Sequence, residues 1–410
     1  MSSDWDNVTL GDILTLQRGM DLPVQDRKSG NVPIVASNGI TGYHNHAPVK
    51  APGVVIGRSG SIGGGQYIEC DYWPLNTTLW VKDFKGNDPR YCYYLLRSID
   101  FSGLNAGSGV PTLNRNHLHP MPSVRPPVVE QKQISSILGA LDDRIALLRE
   151  TNATLEAIAQ ALFKSWFVDF DPVHAKQQGI APEGLDEATA VLFPDGFEES
   201  ELGLVPRGWK VETVYSLAQY INGAAYKVFE PNSERRGLPI IKIAELKNGV
   251  TSQTGFSDVT MPEKYRISAK DILFSWSGNP DTSIDTFIWA NSNAWLNQHI
   301  FRVVPESPVE RAFVLLTLKY LKPVFTEIAR DKQTTGLGHV TIADLKRLRI
   351  VKPSAQVIQS WNEIVEPIID RAFIVEQQAQ ALATLRDTLL PRLISGQLRL
   401  PEAEAALEGL

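Results

Sequence analysis

Two stretches of this 410-residue chain share a hydrophobic pattern that only a long helix repeats. Between 130 and 170, Ile134, Leu138, Leu141, Ile145, Leu148, Asn152, Leu155, Ala159, Leu162 and Trp166 advance by alternating steps of four and three, and only Asn152 is polar. A shift of 227 gives Trp361, Val365, Ile368, Ala372, Val375, Ala379, Leu382, Arg386, Leu389 and Leu393, where only Arg386 is polar. Apolar residues at this spacing form one stripe, the seam of a coiled coil. Pro172 is expected to end the first helix and Pro391 to interrupt the last turns of the second. A helix of about 40 residues is about 60 Å long, so each should project beyond a single globular domain. Neither seam can stay wet, and each copy is the natural cover for the other. The competing reading, in which each seam packs only on its own domain, leaves the equal lengths and constant offset unexplained. A linker from Asp171 to Glu201 lets the chain return, so the helices are expected to pair antiparallel about a pseudo-twofold axis. Asn152 in the core would fix their register.

The segments before the helices also repeat. Trp5, Ile13 and Gly19 match Trp209, Leu217 and Gly223 at an offset of 204, and Pro33 matches Pro239 at 206. Ser59-Gly60 matches Ser277-Gly278 at 218, Asn76 matches Asn297 at 221, and Pro89 matches Pro308 at 219. From Leu118/Leu345 onward the offset locks at 227, through Pro126/Pro353 and Asp143-Arg144/Asp370-Arg371. Drift early and none late is what loop insertions in a duplicated unit produce. Residues 1–127 and 201–353 are rich in Gly, Pro, Asn and aromatics and carry short β-branched runs such as Gly53-Val54-Val55-Ile56 and Asp271-Ile272-Leu273-Phe274. They read as strands and turns, with helices starting at Asp88-Pro89 and Ser307-Pro308, where a capping residue precedes proline. The expected fold class is α/β (α+β): two mixed α/β domains, 1–127 and 201–353, joined by two long helices in an antiparallel coiled coil. The helical spacers are 128–171 and 354–400, with a linker at 172–200 and a tail at 401–410.

Charge changes the picture once it is divided. The whole chain has 40 basic and 46 acidic residues, a net −6, which argues against a nucleic-acid binder. Residues 1–127 nevertheless hold 11 basic and 10 acidic side chains, and 201–353 hold 20 and 15, whereas 128–200 hold 5 and 13 and 354–410 hold 4 and 8. Two weakly basic heads on an acidic spacer suit DNA, because phosphate contacts need local rather than net charge. Two cysteines, Cys70 and Cys92, are too few for a disulfide framework. No apolar run approaches a membrane span, no signal-peptide pattern opens the chain, and a cytoplasmic protein is expected. His44/His46 and His117/His119 form i, i+2 pairs, but no CxxC or HExxH spacing accompanies them, so no metal is assigned. Gly57–Gly65 lacks dinucleotide-loop spacing, Gly278-Asn279-Pro280-Asp281 lacks the rest of an amino-methyltransferase motif, and Glu245-Leu246-Lys247 lacks the upstream half of a nuclease site. The chain is read as non-catalytic.

The loops of the heads carry side chains suited to base edges, where Arg grips guanine and Asn or Gln grips adenine through paired hydrogen bonds. Candidates are Ser37, Asn38, Arg58, Ser59, Ser61, Asn76, Thr77, Asn114 and Arg115 in the first head, and Trp276, Ser277, Asn297, Gln298, His299, Lys332, Gln333 and Thr335 in the second. Plain turn chemistry explains the same residue types. The helix-pairing candidates are Ile134, Leu138, Leu141, Ile145, Leu148, Asn152, Leu155 and Leu162 in the first helix and Val365, Ile368, Val375, Leu382 and Leu389 in the second.

Three segments resemble the specificity subunits of type I restriction–modification systems: Phe163-Lys164-Ser165-Trp166-Phe167-Val168-Asp169-Phe170-Asp171-Pro172, Val205-Pro206-Arg207-Gly208-Trp209, and Leu389-Leu390-Pro391-Arg392-Leu393-Ile394-Ser395-Gly396-Gln397-Leu398. The resemblance spans the chain in the order head, helix, head, helix. It implies two target-recognition domains, each reading half of a bipartite site in double-stranded DNA, with the helices setting the gap. It also implies two docked adenine methyltransferase subunits, and restriction subunits that join where present, with S-adenosylmethionine, ATP and Mg held by those partners and no cofactor in this chain. Trp166, Phe167, Phe170, Leu393 and Ile394, at the helix ends, become candidate docking residues. The alternative is a coiled-coil adaptor that does not bind DNA.

Overall fold

Both seams form continuous helices, Val128–Phe167 and Ala355–Ile394, in a computed structural model that describes residues 5–107, 109–333 and 336–408. Neither proline acts as expected. Pro391 lies inside the second helix, as does Pro367, and both are exposed, so the carbonyl each leaves without a helical partner can be hydrated. Pro172 sits in the first turn of the next helix, Asp171–Gln177, where its missing N–H costs nothing. The first long helix has already stopped at Phe167, and Phe170 takes a left-handed φ of 55°.

The chain forms two compact units, Met1–Ala146 with Ala381–Leu410, and Leu147–Gln380, so each long helix contributes to both. In the first unit a wholly antiparallel sheet has the spatial order Thr15–Arg18, Thr78–Asp83, Gly53–Gly57, Gly63–Ile68. A smaller sheet places Val32–Ala36 between Gly39–His44 and Trp73–Pro74, parallel to the latter. The β-branched run Val54-Val55-Ile56 is buried because its strand is central to the main sheet. Helix Pro89–Ser98, capped by Asp88 accepting from the Tyr91 N–H at 2.8 Å, lays Tyr91, Tyr94, Leu95 and Leu96 into a core shared with Ile134, Leu138 and Leu141 of the first long helix and Leu389, Leu390 and Leu393 of the second.

The second unit repeats this plan. Its main sheet, also antiparallel, runs Ala218–Asn222, Ile300–Pro305, Ile272–Ser275, Asp285–Ile288. Its smaller sheet pairs Leu238–Ile241 parallel to Ala294–Leu296, flanked by Phe256–Ser257 and Arg266–Ile267. In each unit an antiparallel ladder, Asp6–Thr9 with Pro122–Arg125 or Lys210–Thr213 with Arg349–Lys352, returns the end of the head to its beginning. The aligned glycines have one cause: a Cβ on Gly19 would lie 2.0 Å from the Leu75 carbonyl oxygen, and one on Gly223 would lie 2.2 Å from that of Asn297. Helix Arg311–Tyr320 is preceded by a 3₁₀ turn, Pro308–Glu310, and an additional helix, Lys322–Asp331, follows it. The 172–200 stretch is folded: it holds helices Asp171–Gln177 and Glu187–Val191 and the hairpin strand Phe197–Ser200, with Val173 and Phe193 buried beside Trp166 and Trp209.

Of the seam residues, Ile134, Leu138, Leu141, Ile145, Leu148, Val365, Val375 and Leu389 are buried, and Asn152, Leu155, Leu162, Ile368 and Leu382 are half-buried. In the second unit, moving from Asn152 to Phe167 is matched by moving from Glu376 to Trp361 on the facing helix, so the segments run antiparallel there. Asn152 donates to Glu376 at 3.3 Å. In the first unit Arg386 donates to Asp142 at 2.6 Å, and Asp142 also accepts from the Tyr94 hydroxyl at 2.7 Å.

Candidate nucleic-acid interface

In the first unit the candidate loops interlock through Thr77, whose carbonyl accepts from the N–H groups of Arg58 (2.8 Å) and Ser59 (3.0 Å) and whose hydroxyl accepts from the Ser37 N–H at 3.3 Å. The Arg58 guanidinium bonds the Asn76 carbonyl at 3.1 Å, and the Asn76 amide donates to Asp21. The Leu113 N–H then bonds the Arg58 carbonyl at 2.8 Å, which brings Asn114 and Arg115 to the same cluster. Thus the turn after Ala36, the loop after Gly57, the turn before Thr78 and the segment before Leu118 meet at one place. Asn38, Ser61 and Arg115 are exposed there. Asn114 is exposed too, but its carboxamide oxygen caps helix Arg115–Leu118 by accepting from the Asn116 N–H at 3.0 Å. Arg58, Asn76 and Thr77 hold the loops together, and the exposed trio is available to a ligand.

The second unit assembles the equivalent loops. The Trp276 N–H donates to the His299 carbonyl at 3.3 Å, and its indole Nε1 donates to Asn222 at 3.1 Å, while the ring stacks on Phe301 at 5.6 Å between centroids. The Gln298 amide nitrogen and His299 Nε2 are 3.2 Å apart, and Ser277 pairs with His339 in a two-residue ladder. Trp276, Ser277, Gln298 and His299 remain partly exposed, and Gln333 is exposed. Two candidates are corrected. Asn297 is buried, its amide donates to the Ala224 carbonyl at 3.5 Å, and it serves the turn. Lys332 is bound to buried Asp344, which also accepts from Arg347 and Thr341, so its ammonium is committed within the fold. Burial raises the Asp344 pKa, but these hydrogen bonds outweigh it and hold the carboxyl well below the usual carboxylate range. Thr335 lies outside the described residues.

The proposed docking side chains are also corrected. Trp166, Phe167, Leu393 and Ile394 are 4%, 5%, 1% and 5% exposed and pack into this chain's own cores, so they offer no surface to a partner; Phe170 alone is half-buried. They anchor the helix ends. Phe167 and Phe170 pack against Trp209 at 6.0 and 5.8 Å between ring centroids, and in the first unit Trp5 donates to Glu130 at 2.9 Å beside Gly396.

One histidine of each sequence pair clamps backbone. His44 Nδ1 accepts from the Lys28 N–H and His119 Nε2 from the Leu16 N–H, both at 3.0 Å, and burial with nearby Arg115 and Lys85 lowers the His119 pKa. Among the described residues no cluster could hold a metal ion, and no described helix is long and apolar enough to cross a membrane. Sequence reasoning missed Asp21 and Asn222, which steady the two loop clusters, and the repeat-related Thr112 and His339, which pair with Ser59 in the first unit and Ser277 in the second. The signal was present: Thr112 and His339 already stand 227 apart, six residues before Leu118 and Leu345.

Comparison with known proteins gives these loops a context. The family model of the type I restriction modification DNA specificity domain matches residues 2–157 and, a second time, 206–383. The type I restriction enzyme HindI specificity subunit of Haemophilus influenzae is 29% identical over 395 residues, covering 82% of this chain and 84% of its own. The type I restriction enzyme MjaIX specificity subunit of Methanocaldococcus jannaschii is 25% identical over 349 residues, covering 82% and 76%. The solved type I restriction-modification S subunit from M. genitalium shares the fold at 17% identity, with a TM-score of 0.53 and coverage of 95% and 96%. One family model matched twice, over most of the chain and in step with the internal repeat, means that this chain belongs to the type I restriction–modification DNA specificity family.

Proposed function

We propose that this chain is the non-catalytic specificity subunit of a type I restriction–modification complex, with target-recognition domains at 1–127 and 201–353 that each read one half of a bipartite DNA site. The observation that carries the reading is the duplicated loop cluster: equivalent turns of two equally ordered main sheets gather Asn38, Ser61 and Arg115 in one unit and Trp276, Ser277, Gln298 and His299 in the other. Amides and guanidinium groups of this kind discriminate base edges by about 1–3 kcal/mol per well-made pair, and two heads held at a fixed spacing combine their discrimination. The long helices set the gap between half-sites. Two adenine methyltransferase subunits dock at the helix-end segments through residues other than the buried aromatics, and restriction subunits join that assembly. S-adenosylmethionine, ATP and Mg are held by those partners.

The test is expression of the chain with its methyltransferase partner, followed by mapping of modified adenines by long-read sequencing. A bipartite motif with a fixed gap is expected, and a continuous motif, or no chain-dependent methylation, overturns the reading. A matched seven-residue insertion in each long helix adds about 10.5 Å. That is about three base pairs at 3.4 Å per nucleotide step, so the gap should lengthen while both half-sites stay the same. An unchanged gap removes the ruler role.

A further inference from the structure

The two copies differ where each head packs on the long helices. In the first unit Arg97, Asp142 and Arg386 meet as an ionic cluster beside Tyr67 and Tyr93. At the repeat-related positions of the second unit stand Leu316, Ile369, Ala159 and, for Tyr67, Ile288, each smaller or uncharged. Nothing refills the space: these four residues line a cavity of about 410 Å³ wholly within the second unit. That volume lies in the range of sites that enclose small organic molecules. Phe373 and Trp289 extend its apolar wall.

Its polar groups are specific. Thr286 is 2% exposed and lines the cavity, and its hydroxyl has no hydrogen-bond partner; the buried Asn291 amide nitrogen, on the same wall, has none either. Buried donors are normally satisfied, and leaving one unpaired costs about 1–3 kcal/mol, so two in one cavity mark places for acceptor atoms. Glu376, also lining the cavity, accepts from Asn152 at 3.3 Å and Gln380 at 2.7 Å and supplies a carboxylate for a donor. Glu156 on the same wall is paired with Lys319, and Glu245 accepts from the Thr254 hydroxyl and the Lys242 N–H, so apolar surface, two free donors and the amide-bound Glu376 carboxylate suit a flat ring system with ring-nitrogen acceptors and an exocyclic amine.

The geometry points to a small-molecule site in the second unit, between strand Asp285–Ile288 and the long helices, that takes an amino-substituted bicyclic heteroaromatic compound. The site is independent of the DNA-reading loops, and its test does not require DNA. Titration calorimetry of the full chain with 4-aminoquinazoline, whose two ring nitrogens are unprotonated acceptors at neutral pH, should show saturable binding of one equivalent. Ala159→Leu, which fills the cavity, should weaken it at least tenfold, and the near-isosteric Thr286→Val about fivefold. Absence of saturable binding up to millimolar probe overturns the site, as does affinity unchanged in Ala159→Leu. Should Ala159→Leu fail to fold, Thr286→Val decides: wild-type affinity in that variant overturns the assignment.

Discussion

Replacing Arg386 by methionine should open the first unit measurably while leaving its shape intact. Arg386 is 9% exposed and donates to Asp142 at 2.6 Å and to Asp387 at 2.8 Å. Burial drives its pKa down, but the two carboxylates outweigh that and hold it above the ordinary value. Removing one partner of a buried pair costs about 3–5 kcal/mol, because the other charge is stranded. Asp142 would keep the Tyr94 hydroxyl at 2.7 Å and Arg97 at 3.6 Å, and its side chain is 20% exposed, so a smaller loss of about 2–3 kcal/mol is expected. Cys92, fully buried on the helix that carries Tyr94 and Arg97, reports this opening. Its thiol, pushed up by burial, reacts only after exposure, and exposed Cys70 is removed as Cys70→Ser. Where labelling tracks the opening equilibrium, 2–3 kcal/mol corresponds to roughly 30- to 150-fold faster modification of Cys92. Adding Asp142→Leu removes the stranded charge and should return most of the protection. A change below threefold in the single variant, or a double variant as labile as the single, would refute the reasoning.

Three further outcomes are expected. Gly19→Ala and Gly223→Ala place a methyl group about 2 Å from a backbone oxygen, and each should lower stability by about 3 kcal/mol in thermal denaturation, at the upper end for overpacking because backbone cannot move aside as a side chain can. Asp344 has a depressed pKa in the fold, so its contribution is complete above the unfolded value near pH 4 and is lost as pH falls through the folded value; acid titration of wild type and Asp344→Asn should give stability curves that converge as pH drops. In footprinting with the assembled complex, Arg115→Ala should weaken retention of specific DNA by about tenfold and reduce its salt dependence, whereas Lys332→Ala should act through stability instead.

Much of the architecture was legible because it is periodic. The three-and-four spacing of Ile134 through Trp166 and of Trp361 through Leu393 is a local geometric statement, and both helices run through their stretches. The repeat was legible for a similar reason: Gly19 and Gly223 match because each faces a backbone oxygen that leaves no room for Cβ. Proline was misjudged, because whether Pro391 breaks a helix depends on which face it occupies, and that face is exposed. The loop candidates were legible only as a set. Ser, Asn and Arg near glycine serve both turns and ligands, and composition cannot separate the Arg58 guanidinium, spent on the Asn76 carbonyl, from Arg115, which is exposed.

That the chain is a head and a helix written twice is readable from the residues alone, since duplication and helical period both run along one dimension. Which polar residues are spoken for emerges on folding, because hydrogen-bond partners such as Asp344 for Lys332 or Ala224 for Asn297 are brought together from distant positions. Folding likewise decides that Trp166, Phe167, Leu393 and Ile394 face inward. A helix-end aromatic looks the same in sequence whether a partner or its own core covers it, and burial is a property of the packed chain.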